Sequence, residues 1–247
     1  MVSLVWMGSA YFFPVETSCL LCPPSVGGPW LGTDPLGRDI FLRLLRGGAL
    51  SAFIGISAAS LSLVFGTGIG LLMGSRPGLV DRFLSVLLQA IWVVPSLLWA
   101  SLLAFIGGRN LLTVLLAIAL STWTETARVV RVEVRRLWQV PFVEAGRAMG
   151  LPFHWILLRH ILPMLFPVLR VQLLQVFGTA IIIEAGLGFV GLSLGPPHSS
   201  LGSLLFESIG WLSLPQGQLQ GVLAGLLLGG MIFAVYSHID YGRRVVG

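Results

Sequence analysis

The sequence has little charge: Asp, Glu, Lys and Arg make up 10% of its 247 residues, against about 25% in a typical soluble domain. It contains no lysine, so all 15 basic residues are arginine. With 55% hydrophobic residues and a mean hydropathy of +0.92, much of the chain is predicted to lie in lipid. The net charge of +5 does not indicate nucleic-acid binding, because the arginines lie between apolar runs, as the orientation signals of membrane proteins do.

Cysteine is also scarce, since Cys19 and Cys22, in the stretch CLLC, are the only two. Their spacing allows a disulfide or a soft-metal site, or two small apolar side chains near a membrane surface, which is the interpretation we favour. No second pair exists to complete a zinc site. The phosphate-binding motif GxxxxGK[ST] and the metalloprotease motif HExxH are absent as well. The chain is therefore predicted to be no enzyme and to carry no cofactor or metal.

The apolar runs predict an all-α, polytopic membrane protein with about six transmembrane helices. Residues 1–48 are expected to hold a short first span, at 2–15, and a periplasmic loop rich in Pro and Gly. Residues 49–247 are expected to form the main transmembrane domain, with spans near 49–73, 83–106, 111–123, 163–183 and 218–236. Small residues in the second span favour close helix packing, and Pro95 predicts a kink in the third.

Residues 125–160 are the only long hydrophilic stretch, and six of the arginines lie there. If this stretch is cytoplasmic, six spans place both termini in the cytoplasm as well. Ten arginines are then inside and four outside, with Arg170 within a span. The opposite orientation would contradict the positive-inside tendency of membrane proteins.

Within this stretch, proline and glycine predict two short helices joined by a hinge. Pro141 suits the first position of a helix, where its missing N–H costs nothing. Gly150 suits the C-terminal end, where a left-handed backbone is cheap for glycine. Pro152 and Pro163 are placed to begin a second short helix and the fifth span. A helix of two turns is not stable alone in water, so a partner surface is expected to cover it.

The same stretch resembles the EAA loop of ABC importer permeases, which reads Glu-Ala-Ala, three residues, Gly, nine residues, Ile, one residue, Leu-Pro. The residues that match this pattern are Glu144, Ala145, Gly150, Leu162 and Pro163. Gly146 replaces the second Ala, and His160 stands at the usual Ile position. Three further stretches, at residues 31–48, 126–137 and 184–197, are similar to the dipeptide/oligopeptide/nickel branch of the family. The resemblance covers roughly residues 31–235.

The resemblance implies the architecture of a type I ABC importer permease in the bacterial inner membrane, working by alternating access. The implied partners are two ATP-binding cassette subunits, a second homologous permease, an extracytoplasmic substrate-binding protein and membrane lipid. A cytoplasmic EAA-like loop, residues 134–163, would couple the chain to the ATPase. The coupling residues implied are Glu144, Ala145, Gly146, Arg147, Gly150 and Pro163.

The implied substrate is a dipeptide or oligopeptide, with nickel or another metal chelate as the alternative. A stand-alone secondary transporter is a more distant alternative, which would call for inverted repeats and midplane charges; the sequence shows no convincing repeat.

Two charged residues in the fifth span are further candidates. Glu184 and Arg170 would be gate or pathway residues, because intramembrane charges usually serve function. The alternatives are that Glu184 caps or pairs near the outer interface and that Arg170 extends to the headgroups. In the outer loop, Asp34, Arg38 and Asp39 are expected to form ordering hydrogen bonds.

Overall fold

The structure is a computed structural model that describes residues 20–24, 29–75, 78–195 and 198–246. Within these residues the regular secondary structure is helical, apart from one isolated bridge between Thr33 and Asp39. The elements are α1 (Ile40–Ser75), α2 (Leu79–Val93), α3 (Ser96–Gly107), α4 (Leu111–Trp138), α5 (Pro141–Ala148), α6 (Phe153–Ile156), a π-helical turn (Leu157–Ile161), α7 (Leu162–Phe189), α8 (Leu201–Ile209) and α9 (Pro215–Val246). The predicted all-α fold is confirmed.

Two predictions concern the N-terminal region. The expected first span, at residues 2–15, and Cys19 lie outside the described residues. Cys22 is disulfide-bonded, so its interpretation as a free apolar side chain is wrong.

Three helical segments of the described chain are long and apolar enough to cross a membrane: Ile40–Ser75, Phe153–Phe189 and Pro215–Ile239. The bent pair α2 and α3 adds a fourth if it counts as one span. The predicted fourth span forms the first part of α4, and the rest of this helix carries six charged residues. The predicted second span lies within α1, which begins earlier, at Ile40, and the segment between the predicted fifth and sixth spans contains α8.

Pro95 divides the predicted third span into two helices. The residue before a proline is disfavoured in helical conformation, and Val94 is extended, with φ −91° and ψ 128°. As a result, α2 and α3 are bent by 87° at this break. The indole of Trp99 donates a hydrogen bond to the carbonyl of Ile91 across it, at 3.0 Å. The sequence predicts a kink, whereas the structure shows that the helix ends and restarts.

A row of glycines on α1 packs against α4. Gly66, Gly70 and Gly74 recur every four residues and therefore lie on one face of α1. A Cβ at any of them would lie 2.5 to 2.7 Å from a side-chain carbon of α4. The facing residues, also four apart, are Thr126, Val130 and Val134. These glycines thus allow the two backbones to approach, as small residues do in membrane helix pairs.

The described chain divides into two compact units, each built from separate segments. The first unit comprises the described residues up to Gly55 together with Leu103–Val114 and Ile181–Ala234. The second unit comprises Ile56–Leu102, Leu115–Ala180 and the described residues from Val235 onward. The EAA-like loop belongs wholly to the second unit.

Candidate functional site

The centre of the EAA-like loop is the short helix α5, and backbone chemistry defines both of its ends. Pro141 occupies the first turn, as the sequence predicts. At the other end Gly150 has a φ of +78°, a left-handed conformation that is cheap only for glycine. The amide of Gly150 donates to the carbonyl of Arg147 at 3.0 Å, and the amide of Leu151 donates to that of Gly146 at 3.1 Å. This pair of bonds is a Schellman motif, which ends the helix and turns the chain.

The helix α5 has one buried and one exposed face. Val143 and Gly146 are buried, and a Cβ at Gly146 would lie 3.3 Å from the side chain of Leu151. The exposed residues of α5 and its C-terminal end are Pro141, Phe142, Glu144, Ala145, Arg147, Ala148, Met149 and Gly150. The substitution of the second Ala of the family pattern by Gly146 therefore lies on the buried face.

An apolar cluster holds the buried face of α5 in place. The cluster joins the end of α1, the last turns of α4, the two short helices and the start of α7. Its buried members are Leu71, Val130, Val134, Leu137, Val143, Ile156, Ile161, Leu165 and Leu169. Burial of apolar side chains at about 25 cal/mol per Å² supplies the stability that a short isolated helix lacks.

Aromatic contacts reinforce this arrangement at both ends of α5. Trp138, at the end of α4, packs against Phe153 with ring centroids 5.5 Å apart, and the Arg147 guanidinium lies over the Trp138 ring at 5.8 Å. Phe142 meets His160 edge-on, with centroids 6.1 Å apart. The residue that departs from the family pattern, His160, thus contacts the first turn of α5.

Charge is distributed unevenly around the loop. Arg136 donates to Glu133 on the same helix at 2.6 Å, and this hydrogen bond raises the pKa of Arg136 above its ordinary value. The Glu144 carboxylate, in contrast, forms no hydrogen bond or ion pair with any other described residue. The exposed face of α5 therefore carries a carboxylate that no other described residue pairs with, beside two small alanines.

Pro163 was expected to begin the fifth span, but the helical path into α7 starts earlier, at Phe153. A proline inside a helix lacks an N–H, and its ring collides with the carbonyl four residues before it. The chain widens into the π-helical turn Leu157–Ile161 just before Pro163, and the amide of Leu162 donates to the carbonyl of Leu157. Pro163 is the second residue of α7 and is exposed. It is therefore not part of α5.

The two candidate gate residues have different surroundings. Glu184 is fully buried in the first unit, where it accepts hydrogen bonds from Ser51 at 2.9 Å and Ser193 at 3.1 Å. The amide of Leu201 donates to the same Ser51 hydroxyl at 3.1 Å, so Glu184 connects α1, α7 and the start of α8. Arg170 is exposed on α7 in the second unit.

An ion-pair network in the first unit orders the loop before α1. Asp34 accepts from Arg38 Nε at 2.7 Å and from Arg43 Nη1 at 2.9 Å. Arg43, only 5% exposed, also donates to Ser199 at 2.8 Å and to Glu207 at 2.6 Å. The sequence predicts the local bonds of Asp34 and Arg38 but not the bond to Glu207, which lies 164 residues from Arg43.

Comparisons with known proteins place the chain among membrane transport proteins. Residues 66–244 match the family described as "Binding-protein-dependent transport system inner membrane component". The chain is 35% identical over 187 residues to the oligopeptide transport system permease protein OppC of Bacillus subtilis, covering 76% of this chain and 61% of that protein. It is 32% identical over 212 residues to a putative peptide permease protein of Brucella suis, covering 84% of this chain and 68% of that protein.

The fold also matches a solved structure, an inward-facing conformation of the MetNI methionine ABC transporter. The TM-score is 0.68 at 20% sequence identity, and the match covers 84% of this chain and 98% of that one. At this identity the likeness concerns the fold alone. The chain spans about 60% of the length of several curated relatives, 61% for the Bacillus subtilis OppC protein and 59% for the DppC protein of Alkalihalophilus pseudofirmus.

Proposed function

This chain is a member of the family of binding-protein-dependent transport system inner-membrane components, and on that premise we propose that it is the permease subunit of an ATP-driven peptide importer. It moves substrate by alternating access and leaves ATP hydrolysis to a separate subunit. Its partners are two ATP-binding cassette subunits, a second homologous permease and an extracytoplasmic substrate-binding protein. Relatives named as oligopeptide, dipeptide and peptide permeases support the peptide class.

The observation that carries this proposal is the exposed face of α5, which we call its free face. Its buried face packs within its own unit, so the helix is held without help from another protein. The exposed face presents the small residues Ala145 and Ala148, the apolar Met149, which is 76% exposed, and the unpaired carboxylate of Glu144. Small and apolar residues beside polar groups suit insertion into a groove of a protein partner. The ATPase subunit is that partner. Gly150 forms the turn that ends the docked helix, and Pro163 lies beyond the second short helix, in the first turn of α7.

The arginine distribution supports an orientation in the bacterial inner membrane. The EAA-like loop and both termini are cytoplasmic, because the majority of arginines then lie inside. The loop before α1, with Asp34 and Arg38, is periplasmic.

Docking can be tested by adding bulk to the free face. Ala148→Trp should reduce co-purification of the ATPase subunit with the tagged chain at least tenfold, because the indole occupies the space that the groove requires. Gln139→Trp is the matched control: it adds the same side chain at an exposed position in the turn before α5 and should leave co-purification unchanged. Glu144→Lys should also weaken the complex, by reversing the unpaired charge.

Three results would contradict the proposal. A wild-type chain that imports substrate without any ATPase partner is a secondary transporter. Equal ATPase recovery with Ala148→Trp and Gln139→Trp would show that the free face is not part of the docking surface. Binding of Ni²⁺ rather than peptides by the binding protein encoded with this chain would assign the nickel alternative.

A further inference from the structure

Three arginines of α4 form a stripe that contacts the helix α2. Arg128, Arg131 and Arg135 are spaced three and four residues apart and therefore share one helix face. Arg131 holds Asp81 of α2 with two bonds, Nε to Oδ1 at 2.6 Å and Nη2 to Oδ2 at 3.0 Å. Arg135 also donates to Asp81 Oδ2. The Arg128 guanidinium lies 4.1 Å from the ring centroid of Trp92, near the other end of α2.

Within the second unit, α2 also packs through apolar side chains. Asp81 and Leu88 are its buried residues, and Asp81 is only 7% exposed. Leu88 belongs to a small apolar cluster with Met73 and Ala127. The ion pairs of Asp81 are therefore a major part of what attaches α2 to α4. Such charge-assisted, two-point bonds also fix the orientation of the groups they join.

The same two turns of α4 pack against the EAA-like loop through another face. Val134 and Leu137 of α4 share the apolar cluster of α5 and α6, with Val143 and Ile156. Trp138 contacts both Phe153 and Arg147. The end of α4 thus contacts α5 on one side and Asp81 of α2 on the other, and a displacement of α5 is passed through packed side chains to α4.

We infer that Asp81 is a positioning residue whose ion pairs with Arg131 and Arg135 make α2 follow the EAA-like loop. Because Pro95 breaks the helix between α2 and α3, α2 can change its angle without carrying α3 rigidly with it. Movement of α5 on the ATPase therefore reaches the bent pair through the Asp81 carboxylate. This inference rests on the proposed function, since it requires α5 to be the docking helix.

The first test compares transport with ATP hydrolysis in the complete importer reconstituted in proteoliposomes. Asp81→Asn keeps the shape of the side chain but removes its charge. It should leave ATPase binding intact and lower the substrate imported per ATP hydrolysed about tenfold, a typical size for coupling between two sites. The matched control is Arg136→Gln, because Arg136 pairs with Glu133 on its own helix and should leave the ratio unchanged.

A charge exchange separates positioning from folding. In the double variant Asp81→Arg with Arg131→Asp, two arginines again face one aspartate, so the import per ATP should recover at least threefold over Asp81→Asn. A merely structural role would lower the amount of assembled importer but not the import per ATP of the assembled fraction. Recovery of assembly without recovery of this ratio would overturn the inference.

A distance measurement tests the ion-pair link between α2 and α4 independently of transport. Spin labels at Val86 on α2 and Val132 on α4, both exposed, should give a narrow distance distribution in the wild-type chain. Asp81→Asn should broaden it, and Arg136→Gln should not. If the wild-type importer fails to bind an ATPase, the proposed function is wrong, but this measurement still tests the ion-pair link between α2 and α4. An unchanged distribution and an unchanged import per ATP in Asp81→Asn would overturn the inference.

Discussion

The close packing of α1 on α4 gives a sharp prediction about two neighbouring glycines. Gly70 and Gly68 both lie inside α1, but a Cβ at Gly70 would lie 2.7 Å from Val130 Cβ and 2.8 Å from the Ala127 carbonyl oxygen. A Cβ at Gly68 would meet nothing within 4 Å. The two substitutions Gly70→Ala and Gly68→Ala therefore add the same methyl group to the same helix in opposite environments.

The expected energies follow from two contributions. Replacing a glycine inside a helix by alanine gains about 1 kcal/mol from helix propensity, and this gain is the same at both positions. Forcing a methyl group into a packed core costs about 1–3 kcal/mol. Since one of the colliding atoms at Gly70 is a backbone oxygen, no side-chain rotation relieves the contact. Gly70→Ala should therefore be about 1–3 kcal/mol less stable than Gly68→Ala.

The difference can be measured by thermal unfolding of the purified protein in one detergent. At about 2–4 °C for each kcal/mol in a chain of this size, Gly70→Ala should melt roughly 2–12 °C below Gly68→Ala. The comparison cancels effects of detergent and of helix propensity. Equal melting temperatures for the two variants would refute the argument that the glycine row is needed for the approach of α1 to α4.

Three further predictions concern single side chains. Gly150→Ala should lower the free energy of unfolding by about 1–2 kcal/mol, because residue 150 has a left-handed backbone. Hydrogen exchange at the Leu151 amide should become faster, and unchanged exchange would contradict the Schellman turn. Glu207→Gln should cost about 1.5–3 kcal/mol by removing a charged acceptor of the buried Arg43, seen as a lower melting temperature, and an unaltered melting temperature would count against the network. Asp39 accepts hydrogen bonds from the first amides of α1, so Asp39→Ala should cost about 0.5–2 kcal/mol, whereas Asp39→Asn, which retains an acceptor, should lose less; equal losses would show that capping is not the cause.

Local features of the EAA-like loop follow from the sequence because single residues restrict the backbone. Pro141 and Gly150 mark the ends of α5, since proline lacks a donor and glycine tolerates a positive φ. The long apolar runs likewise predict which stretches are helical and compatible with lipid. The break at Pro95 follows only in part, because the sequence predicts a kink but not the 87° bend between the two helices.

The pairings between distant residues do not follow from the sequence. In the sequence Asp81 lies between two predicted spans, and only the structure shows that Arg131, 50 residues away, holds it. The π-helical turn before Pro163 is similar, because it depends on how α7 continues from the short helices. The sequence signal that could have indicated the Asp81 pairing is the arginine stripe on α4, which faces one direction and needs an acidic or aromatic partner.

The sequence by itself determined that this protein is an all-α membrane chain with a short Pro- and Gly-bounded helix in its most basic loop. These features depend on hydrophobicity and on backbone restrictions, which act over a few residues. The tertiary structure alone decided which face of α5 is free, which glycines face α4 and which acids Arg43 and Arg131 meet. Those choices depend on how helices far apart in the chain pack together, because a partner is selected by proximity in space and not along the sequence.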